Sequence, residues 1–233
     1  MKKLKNSILT ILLSFILIAC SSADRFIYIA PEYKNLNQSN VEILIMPLIS
    51  TLLENDQLHN FIEKKNQNKQ LLTSKEVELI DNYLPILLAE NTFAKIIKAE
   101  KQLIQKRIKF NYVSAQSNPD SSNMMYMPEI KDLIYDGKNP DYLFFIEDAY
   151  FVRTGDEKGV SMGRGSQSFF ILDAGIKYIL LDNRTGKVAA MGRLKSTQKL
   201  LSLPGKESYL VALETFISDM LSNSPLAQKK IYF

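Results

Sequence analysis

The sequence predicts an α/β sandwich of the α+β kind: a mixed sheet with a C-terminal antiparallel three-strand meander, helices packed on that sheet, and a final amphipathic helix. Three observations carry this. Residues 142–201 contain three long apolar or alternating runs separated by turn residues, the pattern of sequential antiparallel strands. Tyr209, Leu213, Phe216, Ile217 and Met220 recur at helical spacing after them, a stripe aimed at a sheet. Val41-Glu42-Ile43-Leu44-Ile45-Met46 is almost wholly apolar, as in a strand covered on both faces.

Taken in order, the chain begins with Lys2, Lys3 and Lys5, then an apolar run from Ile8 to Ile18, then Leu17-Ile18-Ala19-Cys20. A charged head, a short apolar run and a small residue before a cut mark a secretory signal. The run is shorter than the ~20 residues a membrane span needs. The ending resembles the bacterial lipobox. That resemblance implies cleavage between Ala19 and Cys20, a lipid on the Cys20 sulfur, and acylation of the new amino terminus. Cys20 is the only cysteine of the chain. One acyl chain binds a membrane marginally, whereas several hold it there. Ser21 rather than Asp follows the cysteine, which by analogy with enterobacterial sorting favours the outer membrane, facing the periplasm. Residues 1–19 are read as the signal, 20–25 as a lipidated tether, 26–224 as a single α/β domain and 225–233 as a tail.

Losing the three signal lysines lowers the formal charge from +4 to +1, so the basic balance gives no argument for a nucleic-acid partner. With Cys20 used as the anchor, no internal disulfide is possible. The fold must rest on its apolar core, and 46% hydrophobic residues supply one.

Phe26 to Ala30 reads as a first strand ended by Pro31, and Glu32 to Asn40 as loop. After the second strand, Pro47 closes it, and Leu48, Leu52, Leu53 and Leu58 suggest the start of a helix. Residues 63–70 are polar. Thr73 followed by Glu76 is a capping box, and Val77, Ile80, Leu84, Leu87 and Leu88 follow at helical spacing. Pro85 should kink or break that helix. Ile96 and Ile97 suggest a short strand. Leu103, Ile104 and Ile108 suggest a weak helix over 99–110. Lys95, Lys98, Lys101, Lys106, Arg107 and Lys109 form a basic band, either a solvated face or a contact with anionic headgroups. Residues 114–125 read as loop. Pro128 is expected to open a short helix ending at Gly137, and Asn139-Pro140-Asp141 to make a turn.

From Tyr142 to Val152 runs a long strand, followed by a glycine-rich connection over 154–167 and a second long strand from Ser168 to Asp182. Residues 182–187 make a tight turn around Asn183 and Gly186. Val188 to Leu201 is the third strand, and the helix over about 206–222 completes the domain.

No catalytic constellation is legible. His59 is the only histidine and has no indicated partner, so the usual zinc sites are impossible and no metal site is expected. Thiol chemistry goes with the single cysteine. Gly155, Gly159, Gly163 and Gly165 fit neither phosphate-binding glycine pattern and join two strands. Glu147 and Asp148 are adjacent, so on a regular strand they face opposite sides and cannot act as a pair. Asp173 is expected on an exposed strand face. No enzyme and no cofactor are indicated.

Ile43 to Pro47, Pro140 to Phe145, and the run Leu181-Asp182-Asn183-Arg184-Thr185-Gly186-Lys187-Val188 resemble envelope lipoproteins related to the curli-secretion-channel family and the amino-terminal domain of the Tol-system periplasmic protein. The resemblance spans most of residues 41–222. It implies an α/β sandwich beneath an outer membrane and a role in export or envelope assembly. The channel members carry additional membrane-crossing hairpins. Residues 114–125 and 153–167 lack the lipid-facing alternation that such strands need, which argues against a pore. A membrane-anchored, non-enzymatic binding or assembly accessory is therefore expected, with an envelope protein as partner. Its contacts are expected at the sheet edge or the loops 114–127 and 153–167, since the meander faces are taken by apolar stripes. The rival readings are a lipid- or peptide-binding transport lipoprotein and a subunit of a channel-like ring.

Overall fold

The computed structural model describes residues 25–53, 72–100, 104, 108–114, 124–158, 168–200 and 204–229. The predicted fold class is what forms: two long helices lie on one side of a mixed six-stranded sheet, and a β-hairpin with a single helical turn lies on the other. The strands are β1 (Phe26–Ile29), β2 (Glu42–Ile45), β3 (Lys95–Lys98), β4 (Lys109–Ser114), β5 (Met124–Glu129), β6 (Tyr142–Lys158), β7 (Ser168–Asp182) and β8 (Val188–Leu200). The helices are α1 (Ile49–Leu52, one turn), α2 (Ser74–Asn91) and α3 (Lys206–Leu221).

The large sheet has the order β1-β8-β7-β6-β2-β3. β6, β7 and β8 form the antiparallel meander, β1 adds antiparallel to β8, and β2 lies parallel to both β6 and β3. The interior place of β2, between β6 and β3 and covered on both faces, explains its composition. Ile43 and Ile45 point to the helices, Leu44 and Met46 to the hairpin, and all four are buried.

On the helix side, Leu213, Phe216, Ile217 and Met220 of α3 and Ile80, Leu84, Leu87 and Leu88 of α2 pack on Phe144, Ile176, Tyr178 and Leu180. The predicted stripe of α3 is thus its buried face. The hairpin side is filled by Phe110, Met125, Tyr126, Ile130 and Leu133 against Leu143, Phe145, Ile179 and Leu181. Phe110 meets Phe145 edge-on, with ring centroids 6.3 Å apart.

The Thr73 capping box forms as read. The Glu76 N–H donates to Thr73 Oγ1, and the Thr73 N–H donates to a Glu76 carboxylate oxygen at 2.7 Å. Of the expected kink or break at Pro85, the break does not occur: α2 runs continuously from Ser74 to Asn91. The missing N–H of Pro85 removes one helical hydrogen bond. Buried Ile80 and Leu84 on one side, and Leu87 and Leu88 on the other, hold the helix on the sheet across that gap.

The expected helix from Pro128 to Gly137 is also absent. Residues up to Glu129 belong to β5, whose partner is β4. Pro128 lies opposite Phe110 in a two-stranded sheet, where both strands are edges and a missing donor is tolerated. Asp136 and Gly137 both have positive φ, +48° and +69°. They form a two-residue turn closed by paired hydrogen bonds between Tyr135 and Lys138, the geometry that Asp-Gly favours. The weak helix over 99–110 is likewise corrected at its end, since β4 starts at Lys109. The tail is tied in through residue 229: Gln38 exchanges hydrogen bonds with Pro225 and Ala227, and Leu226 is buried.

Candidate functional site

The meander extends past the hairpin that covers its lower half, and there its hairpin-side face changes character. Ile146 and Ala149 of β6 both point to the helices, although a regular strand would send them to opposite sides. Ile146 pairs with Tyr178 and Asp148 with Lys177, so Glu147 is the extra residue of a β-bulge. The bulge puts Glu147 and Asp148 on the same side of the sheet. This corrects the expectation that adjacency separates them.

Glu147 is 4% exposed. One carboxylate oxygen accepts the Tyr126 N–H at 3.3 Å, and the other lies 3.9 Å from the Lys177 ammonium. Tyr126 and Tyr112 lie with ring centroids 4.7 Å apart. Burial first, and then the Glu147 charge, push the Tyr112 phenol up; burial, the neighbouring Tyr112 and the Glu147 charge raise Tyr126. These phenols stay neutral and can donate hydrogen bonds. A carboxylate this buried is held by its partners, because burying a charge without them is costly.

Further along, the same face carries cross-strand neighbours of mixed charge. Lys177 sits between Asp148 and Arg193, and Gly175 between Tyr150 and Lys195. Asp173 sits between Val152 and Thr197 and accepts the Thr197 hydroxyl at 2.7 Å. The Tyr150 ring lies over Gly175: a Cβ there would fall 2.3 Å from Tyr150 Cε1. The upper meander is therefore polar on this side, not consumed by an apolar stripe as expected. It carries hydrogen-bond donors, acceptors and charges of both signs, on side chains that are mostly half-buried.

The other residues singled out in the sequence are not gathered there. Ala19, Cys20, His59, Gly159, Gly163 and Gly165 lie outside the described residues, as do 115–123 of the polar loop. Gly155 is the extra residue of a second register shift, between Thr154 and Asp156. In the basic band, Lys95 pairs with Glu42 at 2.5 Å and Lys98 with Asp81 at 3.7 Å, while Lys101, Lys106 and Arg107 fall outside the description. Among the described residues, no group of three or more His, Cys, Asp or Glu converges on a metal-sized space, and no helix is long and apolar enough to cross a membrane.

Phe144, Tyr178 and Phe216, each at most 2% exposed, fill the centre of the space between helices and sheet, and a small cleft of about 180 Å³ remains between α2 and the sheet, lined by Ile45, Ile80, Leu84 and Ile146 among others. A cleft of about 730 Å³ lies between α2, α3 and the tail, lined by Glu90, Asn91, Glu214, Ser218 and Lys229 among others. It is an open groove of mixed lining, with Leu87 and Leu221 beside the polar side chains, rather than an enclosed cavity.

At the other end of the meander, sequence reasoning read 182–187 only as a turn. It is also a hub. Asn183 is fully buried and holds Leu133 from both sides, its side-chain oxygen accepting the Leu133 N–H at 2.8 Å and its amide donating to the Leu133 carbonyl at 2.9 Å. Asp182 accepts the Tyr33 hydroxyl at 2.7 Å and the Thr185 N–H at 2.9 Å. Burial alone would raise the Asp182 carboxyl, but the hydrogen bonds from Tyr33, Thr185 and Arg184 outweigh it and hold it below its ordinary 3.8. A carboxyl depressed on folding adds stability above its unfolded value, and that share is lost as pH falls through the lower folded value. Asp182→Asn is therefore expected to flatten the loss of stability below about pH 4. Urea midpoints measured from pH 5 to pH 2 check this; parallel profiles for both proteins would contradict it.

No family model matches the chain, and no curated protein matches it. Among solved structures it is similar to a dodecamer of PelC from Paraburkholderia phytofirmans, at 9% identity and a TM-score of 0.43, over 84% of this chain and 96% of that one. A point-substituted PelC dodecamer from the same organism is similar at 9% identity and a TM-score of 0.42, over 84% and 98% of the two chains.

Proposed function

We propose that this chain is a lipid-anchored protein of the bacterial envelope, without catalysis of its own, that binds another envelope component as an assembly or export accessory. The observation that carries the reading is the position of the single cysteine. It stands directly after a charged head, a short apolar run and Leu17-Ile18-Ala19, where lipid attachment and signal cleavage coincide. The polar upper face of the meander supports a binding role. Glu147, Lys177, Asp173 and Thr197 there are engaged with one another, which suits recognition of a polar surface better than proton transfer. The small size of the space left between helices and sheet, about 180 Å³, supports this reading over a carrier that holds a lipid or peptide there.

Two arms test it. Wild-type cells fed radiolabelled palmitate are expected to label the protein and retain it in the membrane fraction, and Cys20→Ala should abolish the label. A photo-crosslinking residue at Asp173 is expected to capture an envelope protein in intact cells, while one at Ile86, exposed on the outer side of α2, captures none. A palmitate-free wild type would overturn the anchor. Equal capture from both positions, or from neither, would overturn the binding face.

A further inference from the structure

Two prolines flank the cleft between α2 and the sheet. Pro47 follows the last residues of β2, while the neighbouring β6 runs on past Ile146 to Lys158. Pro85 interrupts the hydrogen bonds of α2 on the helix side. The cleft therefore sits at the carboxyl ends of the parallel strands β2 and β3, beside Ile45 and Lys98. That is the end at which open α/β sheets bind their ligands. Its floor is apolar and buried: Ile45, Ile80, Leu84 and Ile146 are at most 6% exposed. Its rim is polar and open to water. Asp81 and Lys98 meet there at 3.7 Å, with side chains 43% and 46% exposed. A contact so exposed adds little stability, but it balances the charge at the mouth.

The polar groups of the lining call for a hydrogen-bond donor. The N–H groups at the strand ends are already used, that of Met46 donating to the Phe144 carbonyl and that of Ala99 to the Ile45 carbonyl. Pro47 and Pro85 have none to give. On the acceptor side, α2 cannot make its bond from residue 85 to the Asp81 carbonyl, and both residues line the cleft. Volume limits the rest of the molecule. An aliphatic cavity of about 150 Å³ holds one benzene, so a cleft of about 180 Å³ admits one such ring with a single substituent.

We propose that this cleft binds a small neutral alcohol of the size of phenol. Its apolar part lies on Ile45, Ile80, Leu84 and Ile146, and its hydroxyl donates to the Asp81 carbonyl. A carboxylate would be repelled by Asp81 and an ammonium by Lys98, so an uncharged head suits the rim. The site is on the helix side, apart from the polar face of the meander, and does not depend on the anchor at Cys20.

Phenol itself is the probe, and benzene, which lacks the hydroxyl, is its control. Both are titrated into the purified full-length chain with isotope-labelled isoleucine and leucine methyls, read by NMR. Phenol is expected to shift the Ile45, Ile80, Leu84 and Ile146 signals saturably and to leave those of Leu213 and Ile217 on α3 in place. It should bind roughly tenfold more tightly than benzene, the worth of one net hydrogen bond. Pro85→Ala restores the N–H that bonds the Asp81 carbonyl and favours the helix, so this variant is expected to fold. It should hold phenol and benzene with equal affinity, at the level of benzene on the unsubstituted chain. Shifts that fail to saturate, or that spread equally to the α3 methyls, overturn the site. Equal affinity of the unsubstituted chain for the two molecules, or a tenfold preference that survives in Pro85→Ala, overturns the alcohol as its ligand.

Discussion

Asn183→Ala is expected to lower the stability of this protein by about 3 kcal/mol or more. The Asn183 side chain is fully buried and bridges three segments. Its oxygen accepts from the Leu133 N–H, and its amide donates to the carbonyls of Leu133 and Pro140 and to Asn139 Oδ1 at 2.6–2.9 Å. Alanine keeps the main-chain bonds from Asp132 to Asn183 and from Asn183 to Asp141 but strands a buried donor and several acceptors. Each costs roughly 1–3 kcal/mol when left unpaired. Against a total stability of about 5–15 kcal/mol that is a large loss. The neighbouring Arg184, exposed in the same turn, makes the control: Arg184→Ala should stay within about 0.5 kcal/mol of wild type. Urea denaturation reads both. A loss below about 1 kcal/mol for Asn183→Ala would mean that water or a shifted backbone satisfies those groups.

Gly192→Ala is expected to cost about 2–3 kcal/mol and to loosen the sheet edge at β1. A Cβ at this position would lie 2.8 Å from the Phe26 carbonyl oxygen and 2.8 Å from Tyr178 Cε1. Neither neighbour can give way cheaply. The Phe26 oxygen belongs to the backbone of β1. Tyr178 is 1% exposed and stacked on Phe144 at 5.9 Å, in an interior that is close-packed. The strand must therefore move. Limited proteolysis near Arg25, with trypsin, should speed up in the variant well beyond what its global stability loss explains. A variant with wild-type cleavage rates would show that β1 absorbs the methyl without shifting.

Much of this architecture was legible because long elements repeat their signal. Fifteen residues of β7 alternate between helix-side Leu172, Ala174, Ile176, Tyr178 and Leu180 and hairpin-side Ile179 and Leu181. The stripe of α3 follows one helical face throughout. The misreadings fall where one residue was made to decide. Pro128 suggested a helix start, but Tyr126 and Phe110 had burial to gain from strand pairing, and Asp136-Gly137 was a hairpin turn in disguise. Pro85 suggested a kink or a break, and the helix is not broken, because buried apolar residues on both flanks outweigh one lost hydrogen bond. The polar face of the upper meander stayed hidden for a different reason. Its existence depends on a bulge at Glu147, and a bulge shifts the two-residue period without leaving a compositional mark. The Asn183 hub was equally silent, because nothing local says that a turn asparagine will be buried against residues some fifty positions upstream.

The pairing of β1 with β8 also orders events in time. The strand nearest the amino terminus has as its only sheet neighbour among the described residues the last strand of the chain, and closing so long a loop is entropically slow compared with the local β6-β7-β8 hairpins. A polypeptide delivered amino end first must therefore wait for nearly all of its length before that border can seal. Until then β1 has no sheet partner, so its docking on β8 is the last step in closing that side of the sheet.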